Sequence, residues 1–422
     1  MLVLGGNPWA DAIREYTTEN GITMIAAGNR PESKLFQIAD ESYVVDSTSS
    51  EEMKKLIREK NIDGVYMGGS EPVIDKACQY INELGLPCYC THKQWTLLQS
   101  KQNFKELCIK HGLPVVPKYL YEDIETNTSL FPVIVKPTDG CGSNGFSICH
   151  NLRELNLGVE IARENSPSHT ELIEKCVPND AIAVFYTFSN GVGTFSGSED
   201  KYPVQYPNGS FVGGLYIFNS YEETLFRDKF EQRILSMFKD VEIKEGCIWI
   251  EIFRDHGKYY FNEIGYRVGG TGSVFPVAYM SGINQVATDI YYALTGKSII
   301  LKKPELFRDV SKDKKYCVYT VHVKSGIIGS FEGREKLFEI CPNIVKILYT
   351  KKENDYVPDS GSFSQVAALV HILFEDYDQL ISTINCIHNN LIVSGINGEN
   401  MVQRMLSDEQ IIQFKGKIWS PV

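Results

Sequence analysis

Two acidic residues stand where apolar ones are expected. Ile250-Glu251-Ile252-Phe253 and Tyr259-Tyr260-Phe261-Asn262-Glu263-Ile264 flank the polar turn Asp255-His256-Gly257-Lys258, the pattern of a β-hairpin with one carboxylate in each otherwise buried strand. An ionised carboxylate in such a place is costly unless something pairs with it, and like charges facing across a hairpin repel. A divalent cation with oxygen ligands relieves both costs and marks Glu251 and Glu263 as metal ligands. The plainer alternative is an exposed cross-strand acidic pair.

A second chemical stretch lies upstream. The apolar run Val133-Ile134-Val135 leads into Lys136-Pro137-Thr138-Asp139, then Gly140-Cys141-Gly142-Ser143-Asn144-Gly145. Glycines let backbone amides approach anionic oxygens closely, and the lysine adds a fixed positive charge, which fits an ATP triphosphate. No Gly-Lys-Ser/Thr follows, so this is not a Walker-type loop. Alone it reads equally as a flexible hairpin loop; with the two carboxylates it points to a Mg²⁺·ATP site.

Arg267 closes the hairpin stretch with a planar donor fork suited to a carboxylate or phosphoryl group. The small residues Val268-Gly269-Gly270-Thr271-Gly272-Ser273 follow it, either a cradle of free amides for substrate or a plain turn. Glu71, after Gly68-Gly69-Ser70, sits at a strand end that faces the ligand crevice in a parallel sheet, so it either faces substrate or caps a helix.

These groups need a framework. Strand signals at Leu2 to Leu4, Thr23 to Ala27, Tyr43 to Val45 and Gly64 to Met67 alternate with helical stretches at Ala10 to Glu19, Glu51 to Glu59 and Val73 to Leu84, which predicts a small doubly wound parallel sheet. Asn7 and Pro8 read as an N-cap and first helical residue, and Gly5-Gly6 as a tight turn lacking the full dinucleotide pattern. One helix is predicted from Thr96 to His111, then a compact mixed unit over 118 to 180 with a helix from Asn151 to Arg163, resembling a lid. The region 181 to 300 begins strand-rich and ends in a helix from Asn284 to Leu294. A last unit holds strands near Cys317 to Val323, Val345 to Tyr349 and Gln365 to Leu373, and a helix from Tyr377 to Asn390.

The order of these motifs resembles the ATP-grasp superfamily, nearest the branch with biotin carboxylase, the purine-pathway ligases and the L-amino acid ligases. The resemblance implies an α/β and α+β multidomain fold: an N-terminal doubly wound domain over 1–95, an ATP-grasp domain over 96–300 with an inserted lid near 118–180, and a C-terminal α+β domain over 301–422. It implies that Lys101, in Ser100-Lys101-Gln102-Asn103-Phe104, and Lys136 are the two ATP lysines, and that Gly140, Gly142, Ser143 and Gly145 belong to the loop over the phosphates. Glu174, Lys175, Cys176 and Val177 match the segment that holds adenine and ribose. Glu251 and Glu263 match the metal-binding glutamates. Arg267 matches the arginine that steadies the carboxylate or acyl phosphate, with Gly269, Gly270 and Glu71 on the substrate side.

One departure stands out. The family commonly has Glu-x-Asn-x-Arg where this chain has Glu263-Ile264-Gly265-Tyr266-Arg267, so the usual third metal ligand is missing. Either Asn262, water or a phosphate oxygen replaces it, or a second metal is held more weakly.

The implied activity is that of a carboxylate–amine ligase: ATP activates a carboxylate as an acyl phosphate, an amine attacks, and ADP and phosphate leave. Mg²⁺ is the expected metal, with Mn²⁺ as a substitute. Two rivals remain, a carboxylase or formyl-activating enzyme using bicarbonate or formate, and a non-catalytic ATP-binding regulator. No Met-Lys-Met biotin-attachment sequence is present.

Composition excludes other classes. The chain has 422 residues, 43% hydrophobic and 23% charged, which fits two or three globular domains. Its 42 basic and 53 acidic residues give a net charge of −11, and no basic block forms a phosphate-tracking stripe, so nucleic acid is not an expected partner. The start lacks a basic leader and no apolar run approaches the ~18 residues of a membrane span, so a cytoplasmic protein that does not enter membranes is expected. Eleven cysteines without a two-residue-gap motif read as reduced thiols, and none of the eight histidines forms a metal-like cluster. A homodimer is the family-level expectation.

Overall fold

The computed structural model describes residues 1–5, 8–138, 145–177, 180–302 and 314–415. Four parallel strands, in the order Glu41–Val44, Ile25–Gly28, Leu2–Leu4, Val65–Tyr66, form the N-terminal sheet. Helices Ala10–Glu19, Ser50–Glu59 and Glu71–Glu83 alternate with them, as the apolar spacing predicts. The first helix begins at Ala10, after Trp9, rather than at Pro8. Gly6 and Asn7 lie outside the described residues.

The predicted helix from Thr96 to His111 is two helices, His92–Gln99 and Lys101–Lys110. Ser100 has extended backbone and its hydroxyl accepts from the Asn103 amide at 3.3 Å, so a serine competing for backbone donors breaks the run. The break places Lys101 at the first position of a new helix.

The lid-like unit is a four-stranded antiparallel sheet, ordered Lys118–Tyr119, Glu171–Lys175, Val133–Pro137, Ser147–Cys149. Helix Leu152–Glu164 packs on it, capped by Asn151, whose side chain accepts from the Glu154 amide at 3.0 Å. Its small core gathers Ile124, Val133, Val135, Leu155 and Ile173.

A nine-stranded sheet dominates the rest. Its main path runs Lys258–Gly265, Gly246–Asp255, Ala181–Ser189, Val192–Gln205, Phe211–Phe218, Lys315–Val323, Val366–Phe374, Ile344–Tyr349, with Val402–Gln403 added beside Lys315–Val323. The central strands and those of the last unit thus share one hydrogen-bonded sheet, joined where Phe211–Phe218 meets Lys315–Val323. Helix Glu223–Asp240, which sequence reading does not place, buries Phe226, Phe230, Ile234, Met237 and Phe238. Helices Gln285–Thr295 and Tyr377–Asn390 are close to expectation, capped by Asn284 and Asp376.

The expectation of reduced thiols fails for one pair. Cys341 and Cys386 form a disulfide between a short helix and helix Tyr377–Asn390, two positions 45 residues apart that no local spacing announces. Eight further cysteines are free among the described residues. Among the described residues no helix is long and apolar enough to cross a membrane.

Candidate active site

Strands Gly246–Asp255 and Lys258–Gly265 pair antiparallel with Glu251 directly opposite Glu263. The register slips between Glu251 and Ile252, leaving Asn262 as the extra residue of a bulge. The bulge turns Asn262 toward its neighbour, and its amide nitrogen donates to Glu251 Oε1 at 3.0 Å. Of the substitutes for the third ligand, Asn262 is therefore already engaged with Glu251.

Pairing carries the same row across two further strands. Glu251 is opposite Ala183, and Ala183 is opposite Glu199, so Glu199, Ala183, Glu251 and Glu263 line one face of the sheet. Small Ala183 leaves the carboxylates room. Two ammonium groups answer them: Lys201 Nζ lies 2.6 Å from Glu251 Oε2, and Lys101 Nζ lies 3.7 Å from Glu263 Oε2.

The row is electrically uneven. Burial opposes charge on Glu251, but the Lys201 ammonium and the hydrogen bonds from Lys201 and Asn262 outweigh it, holding the carboxyl below its ordinary range. Burial and the Glu251 charge push Glu263 upward against the pull of Lys101 and Lys201. Glu199 is pushed up to about 8, mainly by burial, with Lys201 opposing and Glu251 reinforcing the shift. With Glu199 largely protonated at neutral pH, Glu251 has a close ammonium in Lys201 while Glu263 is met only by the more distant, exposed Lys101. Lysines occupying carboxylate oxygens, an all-oxygen donor set and the repulsion between neighbours together fit a Mg²⁺-type ion. Among the described residues no group of three or more His, Cys, Asp or Glu is arranged around one point, so the remaining ligands would come from phosphate and water.

Lys136, on strand Val133–Pro137, lies 2.6 Å from Glu174 Oε2, and Lys105 from the preceding helix bonds Glu174 Oε1. Glu174 is buried, and the two lysines overcome the burial penalty to hold it below the ordinary carboxylate range. One carboxylate facing two ammoniums leaves a positive charge over, on the partly exposed Lys136. Sequence reading missed Lys105, whose amphipathic helix gives no sign that a lysine is buried. Lys175 pairs with Asp255 and donates to the Tyr260 hydroxyl at 3.3 Å, while Val177 packs with Val116 and Tyr260. The Cys176 amide donates to the Pro132 carbonyl at 3.2 Å, and burial raises its thiol. This segment therefore ties the lid sheet to the hairpin.

Arg267 and Glu71, singled out separately in the sequence, meet. Arg267 Nη2 donates to Glu71 Oε1 at 2.7 Å, Nε to the same oxygen at 3.2 Å, and Nη1 to the Val268 carbonyl at 2.9 Å. Glu71 begins helix Glu71–Glu83, and its side chain turns to the arginine rather than capping the helix. Gly269 packs against Ser273 and Phe185, where a Cβ would lie 2.4 Å from Ser273 Oγ, whereas Gly270 is open. Gly145 has φ +73° and a Cβ there would lie 2.5 Å from Asn165 Cβ, so the end of the glycine loop requires glycine. Gly140, Gly142 and Ser143 lie outside the described residues.

The fold and this arrangement define the class: the chain has the ATP-grasp fold. No family model matches it. Among curated proteins it is 25% identical over 310 residues to the carbamoyl phosphate synthase large chain of Clostridium perfringens, covering 68% of this chain but only 28% of that one. It is 23% identical over 287 residues to the formate-dependent phosphoribosylglycinamide formyltransferase of Wolinella succinogenes, covering 65% of this chain and 71% of that protein. Among solved structures it is similar to the L-amino acid ligase from Bacillus licheniformis, with TM-score 0.71 and 18% identity over 93% of this chain and 98% of that one. It is also similar to the biotin carboxylase from Campylobacter jejuni, with TM-score 0.70 and 14% identity over 99% and 95%.

Proposed function

We propose that the chain is an ATP-dependent carboxylate–amine ligase. The carrying observation is Glu251 and Glu263 facing each other on one strand register, with Lys201 of a neighbouring strand and Lys101 of a helix start beside them. In this reading ATP passes its terminal phosphoryl group to a substrate carboxylate, an amine then attacks the acyl carbon, and an amide, ADP and phosphate result.

Glu251 and Glu263 hold Mg²⁺, with Mn²⁺ as a substitute; when bound it supplies positive charge at the phosphoryl group in transfer. Lys136 meets the phosphates with the charge that Glu174 and Lys105 leave over, and Lys101 does so from its helix start. Arg267 exchanges its exposed partner Glu71 for the substrate carboxylate, with Gly269 and Gly270 beside it. The resemblance gives Gly140, Gly142, Ser143 and Gly145 to the loop over the phosphates, and Glu174, Lys175, Cys176 and Val177 to the border of the base and ribose. The work is positioning and charge neutralisation.

Relatives named for formate and bicarbonate chemistry support a second reading, in which the same site activates one of those small acids. Mg²⁺-dependent phosphate release, measured across amino acids, small carboxylic acids, amines, formate and bicarbonate, separates the readings. Release that needs an acid and an amine together supports the ligase. Release with formate or bicarbonate supports the second reading, and silence with tight ATP binding points to a regulator or to a substrate outside the panel.

We further propose the division into 1–95, 96–300 and 301–422, the last boundary being one of chain order rather than of the sheet. A homodimer acting on small molecules in the cytoplasm completes the proposal. One neighbouring structure is a dimer, which supports the homodimer.

A further inference from the structure

The missing side chain at position 265 has a structural reason. Trp249 lies directly opposite Gly265 in the hairpin, and both are two residues from a glutamate of the row, so they share its face. A Cβ at Gly265 would lie 2.2 Å from Trp249 Nε1, 2.4 Å from Cε2 and 2.8 Å from Cζ2. The nitrogen-bearing edge of the indole therefore fills the volume a side chain at 265 would take. The Arg267 guanidinium sits over the ring at 5.3 Å, which fixes the indole from another side. Trp249 Nε1 is buried and has no hydrogen-bond partner among the described residues. An indole N–H is a donor only and presents positive charge, so it repels a cation where an amide oxygen would bind one.

We propose that Trp249 takes the place of a third protein ligand, so that this site holds one divalent cation per chain and leaves the remaining anionic charge of the reacting groups to the chain's own cations, Lys101, Lys136 and Arg267. The inference rests on the reading of Glu251 and Glu263 as metal ligands. It joins two features that would otherwise be unrelated, a glycine where the family has an amide and a half-buried tryptophan whose buried Nε1 lies against it. Trp249 is a positioning residue here, acting through the space it occupies.

The test counts metal ions rather than turnover. The full chain is saturated with the β,γ-imido analogue of ATP and titrated with Mn²⁺, bound ions being counted by equilibrium dialysis and their coupling read by electron paramagnetic resonance. The expected result is one Mn²⁺ per chain with the spectrum of an isolated ion. Trp249→Phe, which keeps a ring in place, should also hold one. Trp249→Ala combined with Gly265→Asn should take up a second ion, magnetically coupled to the first. Two coupled ions in the unaltered chain or in Trp249→Phe overturn the proposal while leaving the metal reading intact. A folded double variant that still holds one ion overturns it too. No Mn²⁺ bound under any condition overturns the metal reading itself.

Discussion

Strand Gly246–Asp255 carries a charge cluster on each face, and the two are finished differently. On one face Arg254 bonds Asp180, lies 2.6 Å from Asp200 and 3.5 Å from Glu222, and stacks on Tyr221 at 4.9 Å. Ser220 and the Tyr221 amide donate to Asp200 at 2.8 and 3.0 Å. On the other face Glu251 and Glu263 oppose each other, answered by Lys201 and by an exposed Lys101 that approaches no nearer than 3.7 Å. The Arg254 cluster brings its cation and its donors within the chain. The glutamate pair leaves its second carboxylate weakly met, and that shortfall marks a place for something from outside.

If the contrast holds, breaking each cluster should have a different signature. Arg254→Ala leaves Asp200 and Glu222 buried without their cation and should cost about 3–5 kcal/mol of stability, read by denaturant unfolding. Glu263→Gln should keep the fold and lower ATP-dependent turnover at least about a hundredfold, ~2.7 kcal/mol in the barrier. Retained turnover above about a tenth of the unaltered level, a loss under ~1.4 kcal/mol, would end the metal assignment.

Lys201→Met sharpens the comparison from the cation side. Without the ammonium, Glu251 keeps only Asn262, so the ligand-free protein should melt earlier, while Mg²⁺ with ADP should raise its melting temperature by more than it raises that of the unaltered chain. An equal metal effect in both proteins would mean that Lys201 and the ion do not share a place.

The smallest effect tests a buried acid outside both clusters. Burial raises Asp289 from 3.8 to about 7, partly offset by its hydrogen bond with Cys247. The folded state then holds a proton that the unfolded chain has released, so this contribution is fully present below about 4 and is lost as pH rises through about 7. Asp289→Asn should therefore melt about 2–4 °C higher than the unaltered protein at pH 8, with the gain shrinking toward pH 4. A gain independent of pH would refute the linkage.

The contrast between the faces also explains what the sequence disclosed. Glu251 and Glu263 were legible because each interrupts an apolar run, and the parallel sheet because its strands alternate with well-spaced helices. Lys201 was not, because Glu199, Asp200 and Lys201 are three consecutive charged residues inside the long strand Val192–Gln205. Its side chains alternate, Glu199 and Lys201 toward the glutamate pair and Asp200 toward Arg254, so a strand that buries charge on both faces carries no hydrophobic period to detect. Trp249 was not singled out at all, since a tryptophan in an apolar strand looks ordinary until Gly265 is found against its nitrogen. Lys105 and the Cys341–Cys386 bond depend on contacts between distant segments, which no local pattern encodes.

The junction between Phe211–Phe218 and Lys315–Val323 has a consequence for the chain's safety as well as its architecture. Seven of the eight residues of Phe211–Phe218 are buried. Without the strands beyond residue 314 this would be a naked, apolar sheet edge with unpaired amides, an invitation to growth by addition of further chains. The C-terminal strands act as its guard, and a protein shortened before them would be expected to aggregate rather than survive as a smaller ATP-binding unit.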